Sequence, residues 1–411
     1  MSARVCDLGS LMPVDEAIRR LLDQAPPPPP GQMIDLDQAL GRVLACDIHS
    51  PVNLPAWDNS AMDGYALRAA DLPAEGGGLS LGGRIAAGDQ ACSPLLAQQT
   101  VQIFTGAPLP SGADTVVPQE RCRVEGERVC FPAVSPGDHV RKLGEEVRRG
   151  DLLLQAGKRL RAQEVGLLAG AGIARVEVYR PLQVCLLSSG NELREPGEAL
   201  APGQIYNSNR HCLAALLRGW GVEVHDYGVM ADELAASRHA LSLASSECDL
   251  LLSSGGVSVG GEDHLKQAIE ELGRIDFWRL AIQPGKPLAF GDVAGKPWIG
   301  MPGNPSAALI TALVVVRPLL LRAQGVTEVL PLPLSVPAGF DWLLRNKRRQ
   351  YLRARLIPGT DGQLRVELHP QQSSAMLTAA CWADGLAVIE CEQQVLKHDN
   401  VMFLSFADLL H

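Results

Sequence analysis

Two apolar runs, each closing on Ser-Ser-Gly, constrain this chain more than any other feature. LQVCLLSSG (182–190) and DLLLSSGG (249–256) are too uniformly apolar for strands with one face in water. Between and after them come helical patterns: RHCLAALLRGWG (210–221) with Leu213, Leu216, Leu217 and Trp220 on one face, ADELAASRHALSLASS (231–246) and EDHLKQAIEEL (262–272). VEVHDYG (222–228) adds another strand. Apolar strands alternating with helices at this spacing predict a doubly wound α/β domain, its parallel sheet covered on both faces, over 181–325. In such a sheet, ligands sit beyond the carboxyl ends of the strands.

The flanking texture differs. VDEAIRRLL (14–22) reads as an amphipathic helix with Val14, Ala17, Ile18 and Leu21 inward, and LDQALGRVLA (36–45) as a second helix beyond a stiff PPPPP spacer at 26–30. Short β-like runs such as Thr100–Phe104 and Thr115–Pro118 predict a small β-rich domain over 51–140. QEVGLLAGAG (163–172) reads as a helix and ARVEVYR (174–180) as a strand. Residues 1–50 and 141–180 therefore form a discontinuous linking domain, and 326–411, punctuated by Pro and Gly, a β-barrel-like C-terminal domain.

Composition removes several function classes. The formal charge of −9 and the 4% aromatic content leave neither a broad basic footprint nor a stacking surface, so no nucleic-acid partner is expected. The longest apolar stretch, Ala307 to Val316, closes at Arg317 and Pro318, short of the about 20 residues that cross a bilayer, and reads as a buried helix rather than a membrane segment. The start lacks the pattern of a signal peptide. Ten scattered cysteines without zinc spacing read as reduced core thiols of a cytoplasmic protein.

Four loops carry the chemistry. SSGNEL (188–193) and SSGGVSVGGEDH (253–264) place glycine just beyond an apolar strand, where backbone N–H groups can approach a phosphate. MPGNPSAA (301–308) opens the longest apolar helix with Asn304 as N-cap, and QPGKPLAFG (283–291) sets Lys286 on a stiff turn between prolines. Singly, Asp263, Glu192 and Asp232 are explained as helix-start residues and Lys286 as a solvated charge. Together, carboxylates crowding anion-inviting loops call for a hard cation between them, and Mg²⁺ uses one or two carboxylates plus phosphate oxygens. Gly256 to Gly260 formally matches a G-x-S-x-G nucleophile elbow, but its Asp and His partners would have to come from the β-rich tail. In the small domain, PAWDNSAMDGYAL (55–67) and FTGAPLPSGADTVVPQE (104–120) form polar turns that ordinary turn chemistry explains equally well.

NSAMDGYA, TGAPLPSGADTVVPQE, GEEVRRGDLLLQAGKRL, SSGNEL, PGQIYNSN, SSGGVSVGGEDH, PGKPLAFG and MPGNPSAA follow one another in the order seen in molybdopterin molybdenumtransferases, the family of bacterial MoeA and the gephyrin E domain. The resemblance runs from about residue 12 to the C-terminus. It implies Mg²⁺-dependent insertion of molybdate into adenylylated molybdopterin with release of AMP. It also implies an elongated homodimer whose cleft is shared between subunits, an α/β domain of the MogA type, and a molybdopterin adenylyltransferase as a possible delivery partner.

Carried over by position, Asp63, Glu192, Asp232 and Asp263 are the catalytic carboxylates, with Glu192 and Asp263 as Mg²⁺ ligands. Thr105, Ser253, Gly255, Gly256, Arg279, Lys286, Pro302, Gly303 and Asn304 bind substrate. The chain departs from the family pattern at Gln283, where Lys is usual, and at Asn191, Glu146, His264 and the 397–400 segment. The same α/β module would serve an adenylyltransferase or a pyrophosphate-cleaving enzyme, and a gephyrin-like scaffold would need only the dimer.

Overall fold

The computed structural model describes residues 11–89, 93–231, 233–255, 264–285, 287–359 and 362–410. The chain divides into two compact units, one of residues 1–32, 41–43 and 178–411, the other of 33–40 and 44–177.

The larger unit is built on a six-stranded sheet of β1 (Gln183–Ser189), β2 (Glu223–Met230), β3 (Leu250–Ser254), β4 (Gly273–Arg279), β5 (Pro287–Val293) and β6 (Lys296–Met301), in the spatial order β2-β1-β3-β6-β5-β4. The first four in that order are mutually parallel, whereas β5 runs antiparallel to both β6 and β4. The expectation of a purely parallel sheet is thus corrected on one side. PGKPLAFG is a loop only as far as Gly285, and Pro287 already begins β5. That strand returns to β6 through a tight turn at Ala294 and Gly295 instead of a crossover helix.

Alternating side chains divide the sheet between two cores, as a strand buried on both faces requires. Val184 and Leu186 face the helix Ser208–Gly219 and the long helix from Pro305, while Cys185 and Leu187 face the helices Leu234–Glu247 and His264–Leu272. The helix over 208–219 is capped by Asn207, whose side chain accepts from the N–H of Arg210, and ends at Gly221 with φ of 81°. Gly is favoured at such a left-handed stop. The N-terminal helix Val14–Asp23 buries Val14, Ala17 and Leu21 in the same core.

The long helix does not stop at Arg317 and Pro318. It continues to Ala323 through a π-turn at Ala312–Val316, just before the proline. Proline lacks an N–H and its ring clashes with the carbonyl four residues back; the wider turn absorbs that mismatch. The 19 residues Pro305–Ala323 are long and apolar enough to cross a membrane, but 89% of that stretch is buried inside the protein.

Residues beyond 330 form a second sheet in the order Ile282–Gln283, Arg349–Pro358, Gly385–Ile389, Asn400–Ser405 and Leu334–Pro337, with Leu364–Leu368 paired to Arg349–Pro358. Ile282 and Gln283, from the segment between β4 and β5, pair in parallel with Arg349 and Gln350, so this sheet is stitched to the α/β layer at that point. In the smaller unit, six strands within 64–131 form another sheet and Ala162–Gly170 is a helix; the strand Arg175–Tyr179 runs across the boundary of the two units at Glu177. The helix expected over 36–45 does not form: a 3-10 turn at Leu36–Gln38 gives way to Gly41 with φ of 76°, a conformation that ends any helix. Among the free cysteines, Cys185 and Cys248 are buried as expected, but Cys381 and Cys391 are exposed.

Candidate active site

The strand order fixes where a ligand can sit. From β1 the chain passes first to β2 on one side, then returns to β3 on the other, so a crevice opens between the carboxyl ends of β1 and β3. Those ends are Ser189-Gly190 and Ser254-Gly255. Gly255 has φ of 83°, and a Cβ there would lie 2.4 Å from the carbonyl oxygen of Ser189. A Cβ on Gly190 would meet the Glu192 carboxylate at 2.6 Å. Gly255 is therefore demanded by close approach to backbone, whereas at Gly190 it is the φ of 152° that favours glycine, since the end of an exposed glutamate can swing aside. Exposed Glu192 folds back over the end of β1, where its carboxylate is available to a cation.

The other loops reach the same sheet edge. Pro302, Gly303 and Asn304 follow β6, and exposed Arg279 ends β4, which runs in the direction of β6. Asn209, on the helix after β1, ties the edge together: its Nδ2 donates to Ser254 Oγ at 3.0 Å and to the Gly303 carbonyl at 2.8 Å. Buried Ser188 Oγ and Asn209 Oδ1 have no partner among the described residues, a pattern expected where polar groups await ligand or water. Ser253 is placed differently from Ser254. Its hydroxyl is fully buried and accepts from Trp298 Nε1 at 3.1 Å, so its side chain serves the core. Asn304 holds the N-cap position without capping by its side chain, and its Nδ2 reaches Ser374 instead. Asp232, Gly256, Asp263 and Lys286 lie outside the described residues, as does the G-x-S-x-G segment.

A cavity of about 500 Å³ lies beside this edge, lined by Gln283, Pro284, Gly285, Pro302, Gly303 and Asn304 from the α/β layer and by Arg348, Gln372, Ser373 and Ser374 from the C-terminal sheet. Its size suits a small ligand. Among the described lining residues Arg348 is the one charged side chain, so the described lining carries a positive charge. Next to it, Arg353 is fully buried and donates Nη2 to the Ser373 carbonyl at 3.1 Å, while Nε and Nη1 find no partner among the described residues. Burial pushes this guanidinium down to about 10. The C-terminal contributors carried no sequence signal, because they gather only when Gln283 pairs with Gln350.

In the smaller unit, Asp63 and Thr105 come together as expected of neighbouring turns. Asp63 Oδ1 accepts from the Thr105 N–H at 2.8 Å and from Thr105 Oγ1 at 2.7 Å. These bonds, the backbone one foremost, hold the exposed carboxyl below its ordinary value and keep it ionised. Gly64 is required beside it, since a Cβ there would lie 2.0 Å from the Val117 carbonyl oxygen.

Among the described residues, no three His, Cys, Asp or Glu side chains form a metal cage. Mg²⁺ completed by a substrate's own phosphate oxygens needs only one or two protein carboxylates, and exposed Glu192 at the end of β1 is one donor of that kind.

Comparison with known proteins covers nearly the whole chain. Residues 12–172 match the family described as MoeA N-terminal region (domain I and II), residues 185–322 the probable molybdopterin binding domain, and residues 335–405 the MoeA C-terminal region (domain IV). A molybdopterin molybdenumtransferase of Haemophilus influenzae is 37% identical over 404 residues, which is 97% of this chain and 100% of that protein. One from a Nostoc species is 38% identical over 306 residues, covering 72% of this chain and 70% of the relative. A solved structure of the molybdopterin biosynthesis moeA protein from Pyrococcus horikoshii superposes with a TM-score of 0.81 at 26% identity, covering 97% of this chain and 100% of that one.

Proposed function

The chain belongs to the molybdopterin molybdenumtransferase family, enzymes of molybdenum cofactor biosynthesis, and from that premise we propose that it inserts molybdate into adenylylated molybdopterin and releases AMP in the presence of Mg²⁺. One observation carries this reading: a crevice at the switch point between β1 and β3 is tied through Asn209 to a cavity whose described lining bears an arginine and no carboxylate. A substrate with a phosphoanhydride and a tetrahedral oxyanion presents two separate anionic groups, and the edge offers two adjoining places for them.

The residue roles belong to the same proposal. Gly190 and Gly255 let the chain turn tightly at the ends of β1 and β3, and the backbone N–H groups of these turns would face the phosphate oxygens. Pro302, Gly303 and Asn304, which line the cavity, bind the substrate there, and the charges of Arg279 and Lys286 offset those of the anionic substrates. Glu192, with Asp263, would hold Mg²⁺. When bound, the ion supplies charge neutralisation at the phosphoanhydride. Asp63, kept ionised by Thr105, and Asp232 complete the polar cleft. We place this chemistry in a cytoplasmic homodimer whose cleft has Asp63 and Thr105 on one subunit's side and Glu192, Asp232 and Asp263 on the other's. An adenylyltransferase delivers the substrate.

The test is reconstitution with purified protein, adenylylated molybdopterin, molybdate and Mg²⁺, following AMP release and active cofactor. Molybdate-dependent release of AMP is the expected result. Formation of the adenylate from ATP and molybdopterin, without transfer of molybdenum, would assign the chain to the adenylyltransferase reaction instead. Calorimetry of Mg²⁺ with and without AMP tests the metal, and equal, negligible heats would remove it.

A further inference from the structure

The cavity's arginine is held in an unusual way. Arg349, its neighbour, spends its guanidinium on carboxylates, with Nη1 and Nη2 each 2.7 Å from Asp15 and Nε 2.8 Å from Glu390. Arg348 has no carboxylate partner among the described residues. Its Nη2 donates to the side-chain oxygen of Gln283 at 3.3 Å, and its backbone N–H to Asn346 Oδ1 at 3.0 Å. The same Gln283 oxygen also accepts from Asn346 Nδ2 and from Gln350 Nε2, the latter at 3.5 Å. Gln350 is in turn oriented by Trp342, whose Nε1 donates to its Oε1 at 3.0 Å. With three donors converging on it, the Gln283 amide has one orientation, oxygen toward Arg348. A neutral acceptor fixes a guanidinium in place without cancelling its charge, as a carboxylate would.

We infer that Gln283 is a positioning residue that holds Arg348 on the cavity wall, and that Arg348 pairs there with a tetrahedral oxyanion of the substrates. The inference rests on the reaction proposed above. The oxyanion is molybdate or a phosphate group of the pterin nucleotide, and both offer the oxygen geometry that an arginine fork matches.

Calorimetry on the full-length protein with molybdate alone, and separately with AMP alone, distinguishes the two sources. Whichever anion occupies the cavity should bind about tenfold more weakly to Arg348→Gln, a typical loss for one charge-assisted contact. KM for that substrate should rise in parallel, with kcat changed less. Gln283→Leu should weaken binding about threefold, and the double variant should bind no more weakly than Arg348→Gln alone. Gln283→Glu keeps the acceptor, and with it the local fold, but neutralises Arg348, so it too should bind the anion more weakly at an unchanged melting temperature. Additive losses in the double variant, or wild-type anion binding in Gln283→Glu or Arg348→Gln, would overturn the inference. If the wild-type protein binds the anion and Arg348→Gln loses it, but molybdenum is never transferred, the inference survives and the proposed reaction does not.

Discussion

Thr105 grips one carboxylate oxygen of Asp63 twice, once through its N–H and once through its hydroxyl, 42 residues away in sequence. The pair is exposed, so its purpose lies less in stability than in fixing the charge state and aim of Asp63. Thr105→Val keeps the backbone bond and removes the hydroxyl bond. The Asp63 pKa should then rise toward its ordinary value without reaching it, as a carboxyl-resolved NMR titration would show. Turnover should fall in Thr105→Val and be abolished in Asp63→Ala, with the melting temperature of each nearly unchanged. Full activity in Asp63→Ala would take this carboxylate out of the reaction.

Gly255 tests whether the shape of the strand ends matters. Gly255→Ala combines a left-handed backbone with a Cβ 2.4 Å from the Ser189 carbonyl oxygen. Strain and overpacking together should cost on the order of 2 kcal/mol or more. Because the displaced atoms form the crevice floor, AMP affinity should drop along with stability. Urea unfolding and calorimetry on the same preparation would separate the two effects.

Arg353 is expected to trade stability for function. A fully buried guanidinium with two nitrogens unpartnered among the described residues is costly to desolvate, and methionine is of similar length. Arg353→Met should leave unfolding free energy unchanged or raise it by about 1 kcal/mol or more. Activity should fall, because the bond that holds the Ser373 carbonyl in the cavity wall is lost. A large drop in the melting temperature would instead make Arg353 a structural strut.

The Asp15–Arg349 pair should show itself through pH. The hydrogen bonds from Arg349 chiefly, and its charge in addition, depress the Asp15 pKa below its ordinary 3.8. A carboxyl depressed on folding stabilises the protein above its unfolded pKa and loses that contribution as pH falls through the folded one. Asp15 is largely exposed, so Asp15→Asn should cost less than about 1 kcal/mol at neutral pH. That difference should shrink toward zero below pH 3.8 in paired denaturant titrations of the two proteins.

Much of the central layer was legible in the residues. The runs 182–190 and 249–256 are apolar on both faces, and only a strand sandwiched between helices can use them; β1 and β3 are those strands. Glycine after each run announced a tight strand end, and Gly255 shows the reason in its contact with Ser189. The spacing of Leu213, Leu217 and Trp220 likewise determined one buried helix face. Local pattern failed where distant atoms decided. Pro318 signals a helix end only while the preceding turn is assumed to be α-helical, and a π-turn removes that assumption. Serine at 253 and 254 looks alike on paper, yet strand alternation sends one hydroxyl to Trp298 and the other to Asn209. The cavity's cation belongs wholly to the tertiary structure. Nothing in the 348–350 segment marks it as part of a site, because its role arises from the pairing of Gln283 with Gln350, residues 67 positions apart. Periodicity and turn chemistry are short-range and can be read along the chain; charge placement in a cavity is a sum over segments that meet only after folding.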